Sequence, residues 1–361
     1  MSATYTAISW NRQKRIYDAT LGALLALALG GFMGLTLALE PRATIETLII
    51  RATAVTAFLL LHVILCLGPL ARLDRRFLPL LYNRRHLGVT MFLLALVHAA
   101  FATIQFHALG DTNPLVSVFT AYARDYTSLA HFPFEPLGAG ALVLLFLMAA
   151  TSHDFWLKTL GASVWKLLHF AVYPAYGLIL AHVAFGALHS ERSTFYPVLL
   201  GAGFVIVFGL HLAAWRQEAA LDAQKLALTA DGFADACAVD DVAESHGRPV
   251  NIGGERLAVW RHQGRIFATA NVCRHQGGPL GEGRILDGCI TCPWHGWQYR
   301  PEDGCSPPPF AEIIATHDVR IVDGRVFVRV KPNPLKTVCP GADIVNRRSA
   351  EACVIETGCD L

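Results

Sequence analysis

Four residues in the C-terminal third have the types and spacing of a metal site. Cys273-Arg274-His275 is followed, after sixteen intervening residues, by Cys292-Pro293-Trp294-His295, a C-x-H…C-x-x-H pattern. Each half offers one thiolate and one imidazole, so two loops that meet would present two of each. That donor set suits a [2Fe–2S] cluster in which two histidines replace two cysteines on one iron. A tetrahedral structural zinc is the alternative, but zinc fingers group Cys with Cys and His with His, whereas each half here mixes them. Gly277, Gly278, Gly281, Gly283 and Gly296 suit tight loops around such a site.

A second set of candidates lies in apolar sequence. Six runs carry no acidic or basic side chain, at 20–39, 52–70, 87–110, 136–153, 167–188 and 195–215. Most reach the ~20 residues that cross a bilayer as a helix. Histidine is costly at that depth and usually functional. His107, His153 and His189 fall near helix ends and suit the interface, and His62 and His211 suit interhelical hydrogen bonds. His86 and His98 are twelve residues apart on the third predicted helix, and His169 and His182 thirteen apart on the fifth. These separations are about 18 and 20 Å along a helix axis. On two parallel helices they would form two His–His pairs at two depths, His86 with His169 and His98 with His182. Each pair could ligate a haem iron from both axial sides. At about 100° per residue, twelve residues end about 120° past whole turns and thirteen about 140° short, so a tilt or irregular turn must correct the phase.

The elements that must position these groups follow from composition. The chain has 361 residues, is 53% hydrophobic and 16% charged, and carries a net charge of +2. Its mean hydropathy is +0.41. An ordinary soluble protein is about 25% charged, and a nucleic-acid binder would be strongly basic. Residues 1–224 hold 15 Lys/Arg and 11 Asp/Glu, whereas 225–331 hold 12 and 13 in half the length. We therefore expect a cytoplasmic segment 1–19, a membrane bundle of six helices over 20–215, a linker at 216–228, a mainly-β domain over 229–331 and a tail at 332–361. The first run follows basic residues as a signal peptide would, but its length favours a spanning helix.

Twelve basic residues lie before the first run, after the second, fourth and sixth (Arg12, Lys14, Arg15, Arg72, Arg75, Arg76, Arg84, Arg85, Lys158, Lys166, Arg216, Lys225), against Arg42, Arg51, Arg124 and Arg192 opposite. The excess of positive charge predicts both termini, and the soluble domain, in the cytoplasm of a cell bounded by an inner membrane. Within that domain Gln263-Gly264 and Asp323-Gly324 separate strand-like runs and predict hairpins. Cys289 and Cys305 read as core cysteines, and Cys339, Cys353 and Cys359 as part of the tail.

Two resemblances sharpen these readings. Arg84-Arg85-His86-Leu87-Gly88 with Val97-His98, and Trp165-Lys166-Leu167-Leu168-His169 with Tyr173 and His182, resemble the third- and fifth-helix signatures of the ferric reductase-like transmembrane domain. That resemblance spans about 20–215 and implies b-type haem, one or two, held by His98, His169 and His182, with His86 less well supported. The Cys-Pro-Trp-His-Gly-Trp block at 292–297 resembles Rieske domains of the ferredoxin and oxygenase kind. The respiratory kind adds a disulfide between its loops; Gly278 and Trp294 stand at those positions here.

Both groups are one-electron carriers. The reading is a transmembrane electron-transfer protein, working outward toward an extracytoplasmic acceptor. No G-x-G-x-x-G dinucleotide fingerprint follows a strand, so a separate cytoplasmic reductase or a quinone is expected as donor. A membrane Rieske oxygenase or desaturase is the alternative. It would need a mononuclear 2-His-1-carboxylate iron beside the cluster, and no histidine follows residue 331.

Overall fold

In a computed structural model, residues 12–81, 84–121, 126–128, 132–190, 193–223, 226–294, 296–308 and 310–344 are described. They form two compact units, one of 12–67 with 84–210, the other of 68–81 with 211–344.

The first unit is helical. The helices of the chain are α1 (Arg12–Leu39), α2 (Ile45–Leu73), α3 (Leu78–Leu81), α4 (Arg84–His107), α5 (Pro114–Thr120), α6 (Glu135–Ala150), α7 (Asp154–His169), α8 (Val172–Phe185), α9 (Ala187–Ser190) and α10 (Phe195–Asp222). Among the described residues, five stretches are long and apolar enough to cross a membrane: Arg15–Leu39, Ile45–Leu73, Arg84–His107, Val164–His189 and Phe195–Asp222. The predicted fourth span falls on α6, whose 16 residues measure about 24 Å. The chain is a multi-pass membrane protein. Its helical core joins Leu61 and Leu65 of α2, Phe92 of α4, Leu145 and Met148 of α6, and Tyr176 of α8.

The predicted fifth span is not one continuous helix. α7 ends at His169 and α8 begins at Val172. Pro174 has no N–H to continue the ladder, and its ring disfavours a helical turn through Phe170. The chain tightens instead, with Ala171 N bonded to Leu168 O (3.0 Å) and Tyr173 N to Phe170 O (3.1 Å). Such three-residue turns advance each residue about 20° further than an α-helix does. They shift the His169–His182 phase in the required direction, by roughly 40–60° of the roughly 140° needed.

The second unit carries eleven strands: β1 (Phe233–Ala238), β2 (Gly247–Ile252), β3 (Glu255–His262), β4 (Arg265–Ala270), β5 (Arg284–Leu286), β6 (Cys289–Thr291), β7 (Gln298–Tyr299), β8 (Thr316–His317), β9 (Val319–Val322), β10 (Arg325–Arg329) and β11 (Ala342–Asp343). They form three antiparallel sheets, ordered β1-β10-β9, β11-β4-β3-β2 with β8 also on β4, and β5-β6-β7. The two predicted hairpin turns hold, with positive φ at Gln263 and Gly264 and at Asp323 and Gly324, as type I′ turns require. Val250, Ile252, Leu257, Val259, Ile266, Val326 and Val328 fill the core between the larger sheets.

Two boundaries differ from expectation. The segment 216–222, predicted as linker, is the end of α10. The segment 332–344, predicted as free tail, folds onto the domain: β11 pairs with β4 in the register Ala342↔Ile266. Cys305 and Cys339, read as a core and a tail cysteine, are both buried and disulfide-bonded. The pairing of β11 places the chain around Cys339 against the sheet, which local sequence pattern does not reveal. Cys353 and Cys359 lie outside the described residues.

Candidate metal centres

The predicted cluster ligands stand on two loops that flank the small sheet. Cys273 and His275 lie between β4 and β5, Cys292 between β6 and β7. His295 lies outside the described residues. The loops repeat one backbone pattern. Cys273 N bonds Gly278 O at 2.9 Å and Gly277 N bonds Cys273 O at 2.8 Å; Cys292 N bonds Trp297 O at 2.8 Å and Gly296 N bonds Cys292 O at 2.9 Å. Gly277 and Gly296 take φ +73° and +71°, which a side chain would strain. Each cysteine is thus held at the head of a tight loop by the amide four residues on and the carbonyl five residues on.

Both sulfurs are buried and free of disulfides. A Cβ on Gly278 would come within 2.8 Å of Cys292 Sγ, so the loops meet there with no room for a side chain. Tyr299 on β7 is buried and turns its hydroxyl to the first loop, accepting from Arg274 N (3.0 Å) and donating to Cys273 Sγ (3.4 Å). The neighbouring Cys292 thiol, by hydrogen bonding, lowers the Cys273 thiol to about 7 against the opposing effect of burial. Burial, then the adjacent Cys273, pushes the Tyr299 hydroxyl far above its ordinary value, so it stays a donor. The His275 ring stacks on buried Trp297 at 4.2 Å and 6°, and Phe310 backs Trp297 at 4.1 Å. Two adjacent buried thiols, one acidified, with an imidazole fixed beside them, are the donors of a soft-metal site.

In the helical unit the structure brings His98 of α4 and His182 of α8 together, ring centres 6.3 Å apart. His98 Nδ1 donates to Ile50 O (3.1 Å) and His182 Nδ1 to Phe134 O (2.8 Å). His169 Nδ1 donates to Trp165 O (2.9 Å), and its ring stacks on Trp165 at 3.8 Å. An Nδ1–H bound to a carbonyl fixes the tautomer and leaves Nε2 with its lone pair for a metal. The buried Nε2 of His169 has no hydrogen-bond partner. Glycine makes room for this arrangement, since a Cβ on Gly138 of α6 would stand 2.7 Å from His182 Nδ1.

The predicted inner pair is not in ring contact among the described residues. His86 instead donates from Nδ1 to Asp18 of α1 (2.6 Å) and meets Tyr17 edge-on. His62 is buried with both nitrogens occupied, Nδ1 on Phe58 O (2.8 Å) and Nε2 accepting from Tyr176 Oη (3.0 Å). His107 bonds Ser117 at 3.0 Å. Asp18 was absent from the sequence-based candidates; it lies in the charged first turns of α1, and only its contact with His86, 68 residues away, marks it.

Residues 232–317 match the model of the Rieske [2Fe-2S] domain and residues 53–180 that of the ferric reductase like transmembrane component. The chain is 30% identical over 103 residues to the ferredoxin component of an alkene monooxygenase system from Xanthobacter autotrophicus, covering 28% of this chain and 84% of that protein.

The chain belongs to the Rieske [2Fe-2S] proteins.

Its Rieske domain is also 33% identical over 94 residues to the ferredoxin subunit of anthranilate 1,2-dioxygenase from Burkholderia cepacia, covering 26% of this chain and 87% of that one. It is 45% identical over 84 residues to a cholesterol 7-desaturase of Xenopus laevis, of which this chain spans only 18%. A Rieske domain joined to a ferric reductase-like membrane domain makes this protein an electron-transfer oxidoreductase.

Proposed function

We propose that this protein carries electrons singly across the inner membrane between a cytoplasmic donor and an extracytoplasmic acceptor. Cys273, His275, Cys292 and His295 would hold the [2Fe–2S] cluster. His98 and His182 would hold one haem b. His169 would serve a second haem, with His86 as its candidate partner. Both cofactors supply one-electron chemistry. The protein residues fix ligand tautomers, exclude water and set the charge around the sulfurs.

The observation that carries the haem reading is the His98–His182 pair. Two imidazoles on opposite sides of one metal place their ring centres about 6 Å apart, from two metal–nitrogen bonds of about 2 Å and two nitrogen-to-centre distances of about 1 Å. The observed spacing is 6.3 Å, with each Nδ1 tied to a carbonyl. Dithionite-reduced absorption and haem quantification per cluster test the reading. One or two haems per cluster are expected; a protein with a full cluster signal and no haem would overturn it.

Loop charge supports a cytoplasmic Rieske domain fed by a separate reductase or a quinone. The disulfide-bonded Cys305 and Cys339 favour the opposite side, because cytosolic thiols are kept reduced. An alkaline phosphatase fusion after residue 344, active only outside the cytoplasm, separates the two: an inactive fusion is expected. The likeness to a desaturase favours a second reading, a membrane Rieske oxygenase component. Oxygen uptake by the reduced protein with a sterol present would support it over simple transfer.

A further inference from the structure

The helical core buries a polar pair that the metal reading leaves unused. Tyr176 of α8 belongs to that apolar core with Leu61, Leu65 and Leu145, and buried His62 of α2 meets it there. His62 Nδ1 donates to Phe58 O one turn earlier on α2 (2.8 Å). Its Nε2 therefore carries the lone pair, and the Tyr176 hydroxyl must donate to it (3.0 Å). The Phe58 ring closes on His62 edge-on at 4.3 Å. Gly203 of α10 leaves the space on another side, since a Cβ there would overlap the Nε2 edge of the His62 ring. A buried hydrogen bond adds little net stability, yet either partner alone would be left unsatisfied. The best-attested use of such a pair is to fix register.

α8 is the helix that needs fixing. It has 14 residues and starts afresh after the break at His169, so α7 does not set its rotation. Its contacts through Ala175, Ile179 and Leu180 are apolar and non-directional, whereas the hydroxyl bond is directional. His182 lies six residues beyond Tyr176, about 9 Å along the axis. A short helix turns as one body, so any rotation that breaks the Tyr176 bond carries His182 with it. The rings of His98 and His182 stand at 79° to each other. His98 is held to α2 through Ile50 O. α2 thus references both rings, His98 directly and His182 by way of His62 and Tyr176.

We propose that His62 and Tyr176 are positioning residues that set the rotation of α8, and with it the near-perpendicular planes of the His98–His182 pair. The inference rests on the haem reading of that pair and not on the cluster. His169 stands on α7, before the break, and is outside the reach of this device.

The test is low-temperature EPR of the oxidised full protein in membranes. A low-spin ferric haem between two imidazoles has its highest g-value when the ring planes are perpendicular, and that value falls as they approach parallel. Tyr176→Phe should keep the haem while its highest g-value falls and the line broadens. That variant also leaves His62 unpaired, so it is read beside the double variant Tyr176→Phe with His62→Leu. Removing both polar groups should recover thermal stability but not the wild-type signal. His62→Gln offers the Tyr176 hydroxyl a carbonyl acceptor and should keep the wild-type signal. An unchanged signal in Tyr176→Phe would overturn the proposal. So would return of the wild-type signal in the double variant, because only the unpaired group would then have mattered. Should Tyr176→Phe lose the haem, the double variant decides in the same way; loss of that haem from it, with the cluster signal intact, is the extreme of the expected shift. Absence of any low-spin haem signal from the wild-type protein would instead defeat the haem reading.

Discussion

The two candidate metal regions pre-position their ligands by opposite means. In the Rieske domain the cysteines are set by main-chain amides and carbonyls within their own loops, so each is held by residues four and five positions away. In the membrane unit the histidines are set from elsewhere: His98 by the carbonyl of Ile50 on α2 and His182 by that of Phe134, each 48 residues distant. Local loops can be read from a motif, whereas a membrane histidine finds its partner only when helices pack. The difference teaches why spacing alone identifies one site and only suggests the other.

The comparison breaks most severely at the cluster. Cys292→Ala should abolish the cluster outright, seen as loss of its visible absorption and EPR, while haem content stays unchanged. Next, His182→Ala should remove one haem, and His98→Ala the same one, by pyridine-haem assay. His62→Gln should leave haem content intact, since both His62 nitrogens are engaged by protein. An unchanged haem ratio in His182→Ala would refute the pairing. Gly278→Ala should cost about 1–3 kcal/mol by crowding Cys292 Sγ, read as a lower melting temperature and partial cluster loss.

Finer tuning comes from Tyr299. No hydroxyl is available at Trp297, so Tyr299 supplies the described side-chain donor to Cys273 Sγ. Donors stabilise the reduced, more negative cluster. We expect a midpoint of roughly −150 to 0 mV, low in the Rieske range, and a further fall on the order of tens of millivolts in Tyr299→Phe. Redox titration followed by EPR measures both; a rise in the variant would contradict the assignment.

Much of the chemistry was legible in the sequence. The mixed Cys/His halves, the two Gly-containing hairpin turns and the apolar runs each depend on residues close along the chain. What escaped depends on distant ones. Asp18 meets His86 across 68 positions, Arg256 meets Asp222 across 34, and β11 reaches back to β4. The break after His169 was half legible: Pro174 marks it, but only the folded turn reveals the three-residue hydrogen bonds that tighten the chain there.

The placement of β11 and Cys339 has a consequence for biosynthesis. Residues 339–343 are made after the strand they fasten, β4, which leads directly into Cys273. A chain cut before Cys339 should therefore lack the pairing at Arg265 and Ile266 while β8 still holds Ala268 and Thr269.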